Sequence, residues 1–459
     1  MIHQYKNNDY NIVLDVNSGA VHLLDDMGYD VVVSFDEGFK KQISVQDITA
    51  YAKNALQEKY TLEELQEVCD EIHALIEDKK LFTEDEYEEY INNVTKRKTV
   101  VKALCLHIAH DCNLACKYCF AEEGEYHGRR ALMSYEVGKK AMDFLIANSG
   151  NRRNLEIDFF GGEPLMNWQV VKDLVAYGRS QEKKYEKHFR FTLTTNGVLL
   201  NDEVQEFANR EMDNVVLSLD GRKEKNDSMR PFRNGKGSYD LIVPKFQRLA
   251  ESRNQERYYI RGTFTRHNLD FAEDVKCFDE LGFKQMSMEP VVSLPEEPYA
   301  ITETDLPQIF AEYDKLAKYI IEREKEKKGF NFFHFVIDLE GGPCVAKRLS
   351  GCGAGTEYLA VTPWGDLYPC HQFVGKEEFI MGTVDTGIVT PAVVEEFRGC
   401  NVYTKEKCKS CFSKFYCSGG CMANSYNFHN TIYDTYEIGC EMQRKRVECA
   451  IMIQAALAE

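Results

Sequence analysis

The sequence predicts an α/β protein centred on a parallel sheet of six strand–helix units, an open or partial barrel, flanked by a small N-terminal unit and a cysteine-rich C-terminal one. Three observations carry this. Between residues 100 and 292, β-prone runs alternate with amphipathic helical stretches. The first hundred residues hold one cysteine, Cys69, whereas eight of the sixteen lie from Cys344 to Cys421. A chain of 459 residues is the length of about three domains. The expected divisions are 1–95, 96–305 and 306–459.

In the first unit, the runs 12–15 and 20–24 are β-prone and joined by Val16-Asn17-Ser18-Gly19, which reads as a hairpin. A further strand is expected at 30–35. Thr61, followed three residues later by Glu64, forms a capping box. It opens a helix with Leu62, Leu65, Val68, Ile72, Leu75 and Ile76 on one stripe. In the central unit the strands are expected at 101–108, 155–160, 190–194, 214–219, 258–265 and 284–291. Helical segments include 135–147, 203–211, 239–251 and 271–281. Such alternation argues for right-handed βαβ crossovers, with ligands at the carboxyl ends of the strands. A charged helix at 306–328 then leads to the last unit.

Composition narrows the function. Hydrophobic residues make up 44% and charged residues 28%, and no apolar run reaches the roughly 18 residues that span a bilayer. The first fifteen residues lack the order of a signal peptide, so the expected location is the cytosol. A net charge of −18 disfavours broad binding to nucleic acid or anionic membrane. In a reducing compartment, sixteen cysteines point to metal ligation or catalysis rather than a disulfide framework.

Directly after the first barrel strand stands Cys112-Asn-Leu-Ala-Cys116-Lys-Tyr-Cys119-Phe120. Three thiolates can hold three irons of a [4Fe–4S] cube and leave the fourth iron open to a substrate. A zinc site is the alternative, but structural zinc takes four ligands in paired spacing. After the second strand comes Gly161-Gly162-Glu163-Pro164, after the third Thr195-Asn196-Gly197, and after the fourth Ser218-Leu219-Asp220-Gly221, with Arg230 twelve residues beyond Ser218. Each alone is a common turn; their order on successive strand ends is what carries weight.

In the C-terminal unit, twelve residues separate Cys352 from Gly365 and four separate Gly365 from Cys370. There follow Cys408-x2-Cys411-x5-Cys417-x3-Cys421 and, after a gap, Cys440. A pair of zinc ribbons on Cys408/Cys411 and Cys417/Cys421 is the competing account, but it leaves Cys352, Cys370 and Cys440 over. Cys69, Cys277, Cys105 and Cys449 fall on apolar positions and are expected to pack as small hydrophobes. Cys400 is ambiguous, and His107 and His110 are expected to pack and hydrogen-bond.

The three-cysteine run and the strand-end motifs resemble those of the radical S-adenosylmethionine superfamily. The resemblance implies a partial (β/α)6 barrel, a cluster on Cys112, Cys116 and Cys119, and reductive cleavage of S-adenosylmethionine to a 5′-deoxyadenosyl radical. By the same resemblance Gly161, Gly162 and Glu163 contact the methionine amino group, and Arg230 takes its carboxylate. Ser218 reaches the ribose or carboxylate, and Tyr118 and the backbone near Val291 face the adenine. Asn196 and Asp220 belong to the same cosubstrate site.

The C-terminal spacing is similar to that of SPASM domains, which hold two auxiliary [4Fe–4S] clusters. That implies one cluster on Cys408, Cys411, Cys417 and Cys440, and another on Cys352, Cys370 and Cys421. Cys344, eight residues before Cys352, either closes the latter or leaves an iron open for a substrate thiolate.

The whole chain resembles the thioether-forming maturases of SCIFF peptides, through the run His107-Ile-Ala-His110-Asp-Cys112 to Ala121 and the stretch Met1-Ile-His-Gln-Tyr5 to Gly19. The resemblance implies a winged-helix-like N-terminal unit that takes a leader peptide by strand augmentation. The acidic residues Asp25, Asp26, Glu63, Glu64, Glu67, Asp70 and Glu71 make DNA an unattractive ligand for that unit. The implied reaction joins a cysteine sulfur to an α-carbon of a cysteine-rich precursor peptide, with flavodoxin or ferredoxin as the electron donor. The alternative within enzymes is another SPASM activity, such as formylglycine formation on a sulfatase. Outside enzymes, it is a peptide-binding or zinc scaffold.

Overall fold

The computed structural model describes residues 1–96, 99–126, 128–339 and 345–458. At the N-terminus, β1 (Ile2–Asn7), β2 (Tyr10–Asp15) and β3 (Val21–Leu24) form an antiparallel sheet in that order. The expected hairpin joins β2 to β3. Asp15 Oδ1 fixes it by accepting from the backbone of Asn17 and Ser18 at 3.1 and 3.0 Å.

The strand expected at 30–35 is instead part of helix α1 (Asp26–Lys40). Asp25 starts that helix by accepting from the Gly28 amide at 2.7 Å. The buried Val31, Val32 and Phe35 satisfy a helical stripe as well as a strand run, so the cap decides between them. After α2 (Ile48–Leu56), the Thr61–Glu64 capping box opens α3 (Leu62–Glu77). Leu65, Cys69 and Ile72 are buried, while Leu62, at the cap, is 56% exposed. Helix α4 (Tyr87–Lys96) leads out of the unit.

The barrel strands are β4 (Ala103–His110), β6 (Asn154–Gly161), β7 (His188–Thr195), β8 (Asn214–Ser218), β9 (Tyr258–Phe264) and β10 (Gln285–Pro290). Each lies parallel to the one before it. All six fall within two residues of their expected bounds. A two-residue β5 (Ala131–Leu132) pairs antiparallel with β4. The connecting helices are α5 (Tyr135–Asn148), α6 (Trp168–Tyr185), α7 (Asp202–Glu211), α8 (Lys223–Met229), α9 (Tyr239–Ser252) and α10 (Phe271–Glu280). Between sheet and helices lies a fully buried aromatic core that includes Phe159, Phe189, Phe191, Phe246 and Phe278.

The remainder closes the sheet at both ends. After α11 (Leu306–Lys325), β11 (Asn331–Phe332) adds in parallel to β10. Beyond α12 (Val345–Ser350), β12 (Tyr358–Val361) adds in parallel to the opposite edge, β4. The short β13 (Asp366–Tyr368), β14 (Gly382–Thr383) and β15 (Gly387–Ile388) extend it antiparallel. Helices α13 (Pro391–Gly399), α14 (Glu406–Lys409), α15 (Lys414–Cys417) and α16 (Met422–His429) follow, and Cys400, Cys408, Cys411, Cys417 and Cys421 lie in them or near their ends.

The last helix, α17 (Glu437–Ala458), ties the units together. It packs on α11 through Arg446 Nε and Tyr313 Oη, 2.8 Å apart, and on β1 through Tyr5 Oη and the Glu448 carbonyl, 3.0 Å apart. Among the described residues no helix is long and apolar enough to cross a membrane.

Candidate functional site

The cysteine run leaves the C-terminal end of β4 and is fastened from three sides. The Gly162 amide donates to the Ala109 carbonyl at 2.8 Å, and the Glu163 amide to the Asp111 carbonyl at 2.9 Å. Ala115 and Lys117 donate to Pro231 and Met229, each at 2.9 Å. The Asn196 side chain donates to Asn113 Oδ1 at 2.7 Å and lies 3.6 Å from Cys112 Sγ. Burial pushes the Cys112 thiol up to about 12 and the Cys116 thiol up to about 11, and the neighbouring cysteines add to both shifts. Thiols raised in this way, as Cys112 and Cys116 are, ionise beside a strong local positive charge, which a bound metal would supply.

The strand-end motifs converge here, and each also has a structural role within the protein. A Cβ on Gly161 would stand 2.4 Å from the Ala109 carbonyl oxygen, and one on Gly162 2.2 Å from that of Asp111. Both glycines are therefore required by the backbone of β4 and of the cysteine run, quite apart from any ligand. Glu163 is fully buried and turned inward. It accepts from Leu165 N, Thr195 Oγ1 and Asn196 N at 3.0, 2.8 and 2.8 Å, which knots the end of β6 to the end of β7. Burial nonetheless raises its carboxyl to about 7.

Across the opening, Asp220 Oδ2 accepts from Tyr118 Oη at 2.6 Å, and Arg230 Nη1 donates to the same hydroxyl at 2.8 Å. Arg230 Nε is buried with no partner in the protein, so the guanidinium still has a donor to give a ligand. Ser218 ends β8 half-buried. The Val291 amide is taken by the Phe264 carbonyl at 2.8 Å, and its side chain is buried.

The C-terminal cysteines come together as two sets. Cys408, Cys411, Cys417 and Cys440 line a cavity of about 290 Å³ together with Lys407, Lys414 and Arg444. Burial pushes the Cys417 thiol up to about 12, helped by Cys440, Cys408 and Cys411. Cys370, Cys421 and Cys352 form the other set: burial raises the Cys370 thiol, and Cys421 and Cys352 raise it further. Cys421 also opens onto a cavity of about 350 Å³ between the two sets and the end of β10. Cys344 lies outside the described residues.

Among the described residues the cysteines are free thiols, and no three of their sulfurs all lie within 4.8 Å of one another. Of the unassigned cysteines, Cys69, Cys105, Cys400 and Cys449 are buried, and Cys400 Sγ donates to the Ile432 carbonyl at 3.3 Å, whereas Cys277 is half-buried with its Sγ 3.9 Å from Tyr239 Oη. His107 Nδ1 and His110 Nε2 are 2.9 Å apart; the His110 ring stacks on Tyr126 and the His107 ring packs against it at a tilt. Sequence reasoning missed Asn113, and Arg233, which donates to the Cys112 carbonyl at 2.7 Å. Asn113 is one of the positions between the cysteines of the run and Arg233 stands in no motif, so only their neighbours in space reveal them.

The sequence profile described as the Radical SAM superfamily matches residues 106–269. An uncharacterized protein of Methanocaldococcus jannaschii is 32% identical over 277 residues, which cover 60% of this chain and 86% of that protein. This chain belongs to the radical SAM superfamily. Mycofactocin maturase MftC of Mycolicibacterium smegmatis is 26% identical over 338 residues, 70% of this chain and 79% of that one.

Two solved structures share the radical SAM fold. AdoMet-bound anSMEcpe gives a TM-score of 0.65 at 18% identity, covering 78% of this chain and all of that one. Streptococcus suis SuiB bound to precursor peptide SuiA gives 0.53 at 16%, covering 95% and 98%. As a radical SAM enzyme the protein works with a [4Fe–4S] cluster and S-adenosylmethionine. The donor set after β4 fits that cluster: three half-buried thiols, gathered without disulfides at the ligand end of a parallel barrel.

Proposed function

We propose that this radical SAM enzyme installs a thioether, cysteine sulfur to α-carbon, in a ribosomally made, cysteine-rich precursor peptide. Three [4Fe–4S] clusters serve it: one on Cys112, Cys116 and Cys119, one on Cys408, Cys411, Cys417 and Cys440, and one on Cys352, Cys370 and Cys421, which Cys344 either closes or leaves open to a substrate thiolate. The observation that carries the reading is the sorting of seven dispersed cysteines into two crowded sets beside the barrel mouth. A single tetrahedral zinc would hold its sulfurs about 3.8 Å apart on bonds of about 2.3 Å. No three of the described cysteine sulfurs all lie within 4.8 Å of one another, so none of these sets is drawn in as a zinc tetrahedron would draw it.

S-adenosylmethionine, bound at the first cluster, supplies the radical that removes a hydrogen atom from the peptide. The chain's own residues prepare that site. Arg230 offers its free Nε–H to the cosubstrate carboxylate, and Tyr118 and Asp220 fix the guanidinium. Glu163 holds Asn196 and Leu165 in register, so the loop carrying the first cluster cannot drift from the strand ends. The N-terminal unit, residues 1–95, takes the leader peptide. Edge β1 is covered by α17, so β3, with Leu23 41% exposed, is the edge where a peptide strand adds.

Anaerobically reduced enzyme given the precursor peptide should release 5′-deoxyadenosine and yield a peptide lighter by two hydrogens with all its sulfur retained. Formylglycine formation from cysteine would remove sulfur and add oxygen. A peptide of unchanged mass would end the assignment.

A further inference from the structure

The segment between Cys411 and Cys417 is where the N-terminal unit touches the C-terminal cysteines. Phe412 stacks on His3 with ring centroids 3.4 Å apart and planes 2° from parallel. Phe415 meets Tyr87 edge-on at 5.1 Å. Between them Lys414 extends its Nζ to Asp85 Oδ2 at 2.6 Å. Asp85 Oδ1 in turn accepts from Tyr403 Oη at 2.7 Å. Three of the five residues between these cysteines are thus held by residues from the first ninety of the chain.

Two buried lysines stand by this set: Lys405, whose charge works against the burial that raises the Cys408 thiol, and Lys414, which lines the cavity. Lys407 pairs with Glu437 and Asp434, and Arg444 with Glu441, all within the C-terminal unit. The Lys414 side chain is 2% exposed, and its counterion stands 329 residues away in sequence. A buried ammonium without a partner is strongly disfavoured, so the pair fixes both groups. Burial works against the charge on Asp85, but the bonds from Lys414 and Tyr403 outweigh it and hold the carboxyl below its ordinary range.

We propose that Asp85 and Lys414 make the N-terminal unit a tuning element for the cluster on Cys408, Cys411, Cys417 and Cys440. Lys414 is a positioning residue: it sets a buried positive charge beside the thiolates, and Asp85 fixes how much of that charge they feel. The inference rests on the three-cluster reading above. Iron–sulfur potentials follow net charge and solvent exposure. A neighbouring cation stabilises the reduced, more negative cluster and raises its potential. A peptide seated on the N-terminal unit that displaced Asp85 would therefore make this cluster a better electron acceptor.

The test is a redox titration of full-length holoenzyme followed by electron paramagnetic resonance, preceded by iron analysis. About twelve irons in the wild type and about eight in Cys417→Ala would uphold the three-cluster reading and mark this cluster's signal. Any other count would overturn that reading before the tuning question is reached. With the signal assigned, Asp85→Asn should shift its midpoint positive and Lys414→Gln negative. Lys414→Arg should restore the wild-type value. An unchanged midpoint in Asp85→Asn and Lys414→Gln, or an equal shift of all three clusters, would overturn the proposal. If Lys414→Gln does not fold, Asp85→Asn, an isosteric change, carries the test alone.

Discussion

The two cysteine-bearing regions are built in opposite ways. The loop after β4 draws three sulfurs from eight consecutive residues, and distant backbone gives it shape: the end of β6 on one side, Met229 and Pro231 on the other. The set on Cys408, Cys411, Cys417 and Cys440 spreads over more than thirty residues and is braced by side chains, His3, Asp85 and Tyr87, from another unit. A compact motif can be carried by any barrel with the right strand ends. A dispersed set exists only if the units dock correctly.

The sharpest way to break this contrast is to remove one sulfur from each. Cys116→Ala is expected to lose about four of about twelve irons and all cleavage of S-adenosylmethionine. Cys417→Ala should lose the same amount of iron yet still release 5′-deoxyadenosine, while the crosslinked peptide disappears. If both variants stopped cosubstrate cleavage equally, the regions would not be separable in function.

A smaller effect separates backbone bracing from side-chain bracing. In Gly162→Ala the new Cβ meets backbone only, the Asp111 oxygen at 2.2 Å and carbon at 2.7 Å, so nothing can rotate away. In Gly439→Ala, beside Cys440, the nearest atom is a Tyr436 ring carbon at 2.7 Å, which can. We expect a loss on the order of 3 kcal/mol and of first-cluster iron in the former, and well under half that loss in the latter. Thermal unfolding with iron analysis of both variants decides it; comparable losses would deny that the two loops are braced differently.

The barrel was legible because its signal is periodic. Six β-prone runs separated by amphipathic helices leave little choice of topology, and the observed strands follow the expected ones in order. The C-terminal cysteines stood out by their spacing, but their division into two sets came only from the likeness to SPASM domains. The strand expected at 30–35 failed because Val31-Val32-Val33 suits either element, and the Asp25 cap, three residues before Gly28, is a weaker mark than the run itself. Gly161, Gly162 and Glu163 were legible as a strand-end motif, but not their structural share: the glycines let β4 and the cysteine run approach, and Glu163 accepts from Thr195. Lys414 with Asp85 was invisible, since a lone lysine and a lone aspartate 329 residues apart carry no pattern.

Glu163 gives the finest test, because it serves the first region and not the second. Its carboxyl is raised from an ordinary 4.5 to about 7 by burial. Around pH 6 the folded chain therefore keeps a proton there that the unfolded chain has released. That contribution is full below about pH 4.5 and is lost as pH rises through about 7. Between pH 6 and pH 8 it amounts to about 1.4 kcal/mol. Hydrogen exchange at the Leu165 and Asn196 amides, corrected for the intrinsic pH dependence, should show protection falling by about tenfold over that range, with amides at 408–421 as the internal reference. Glu163→Gln should lose the slope and lower protection at every pH, since its amide NH₂ would face a donor and leave a buried bond unmade, at a cost of about 1–3 kcal/mol. A slope that persists in Glu163→Gln would assign it to another group, and equal slopes in both regions would remove the distinction between them.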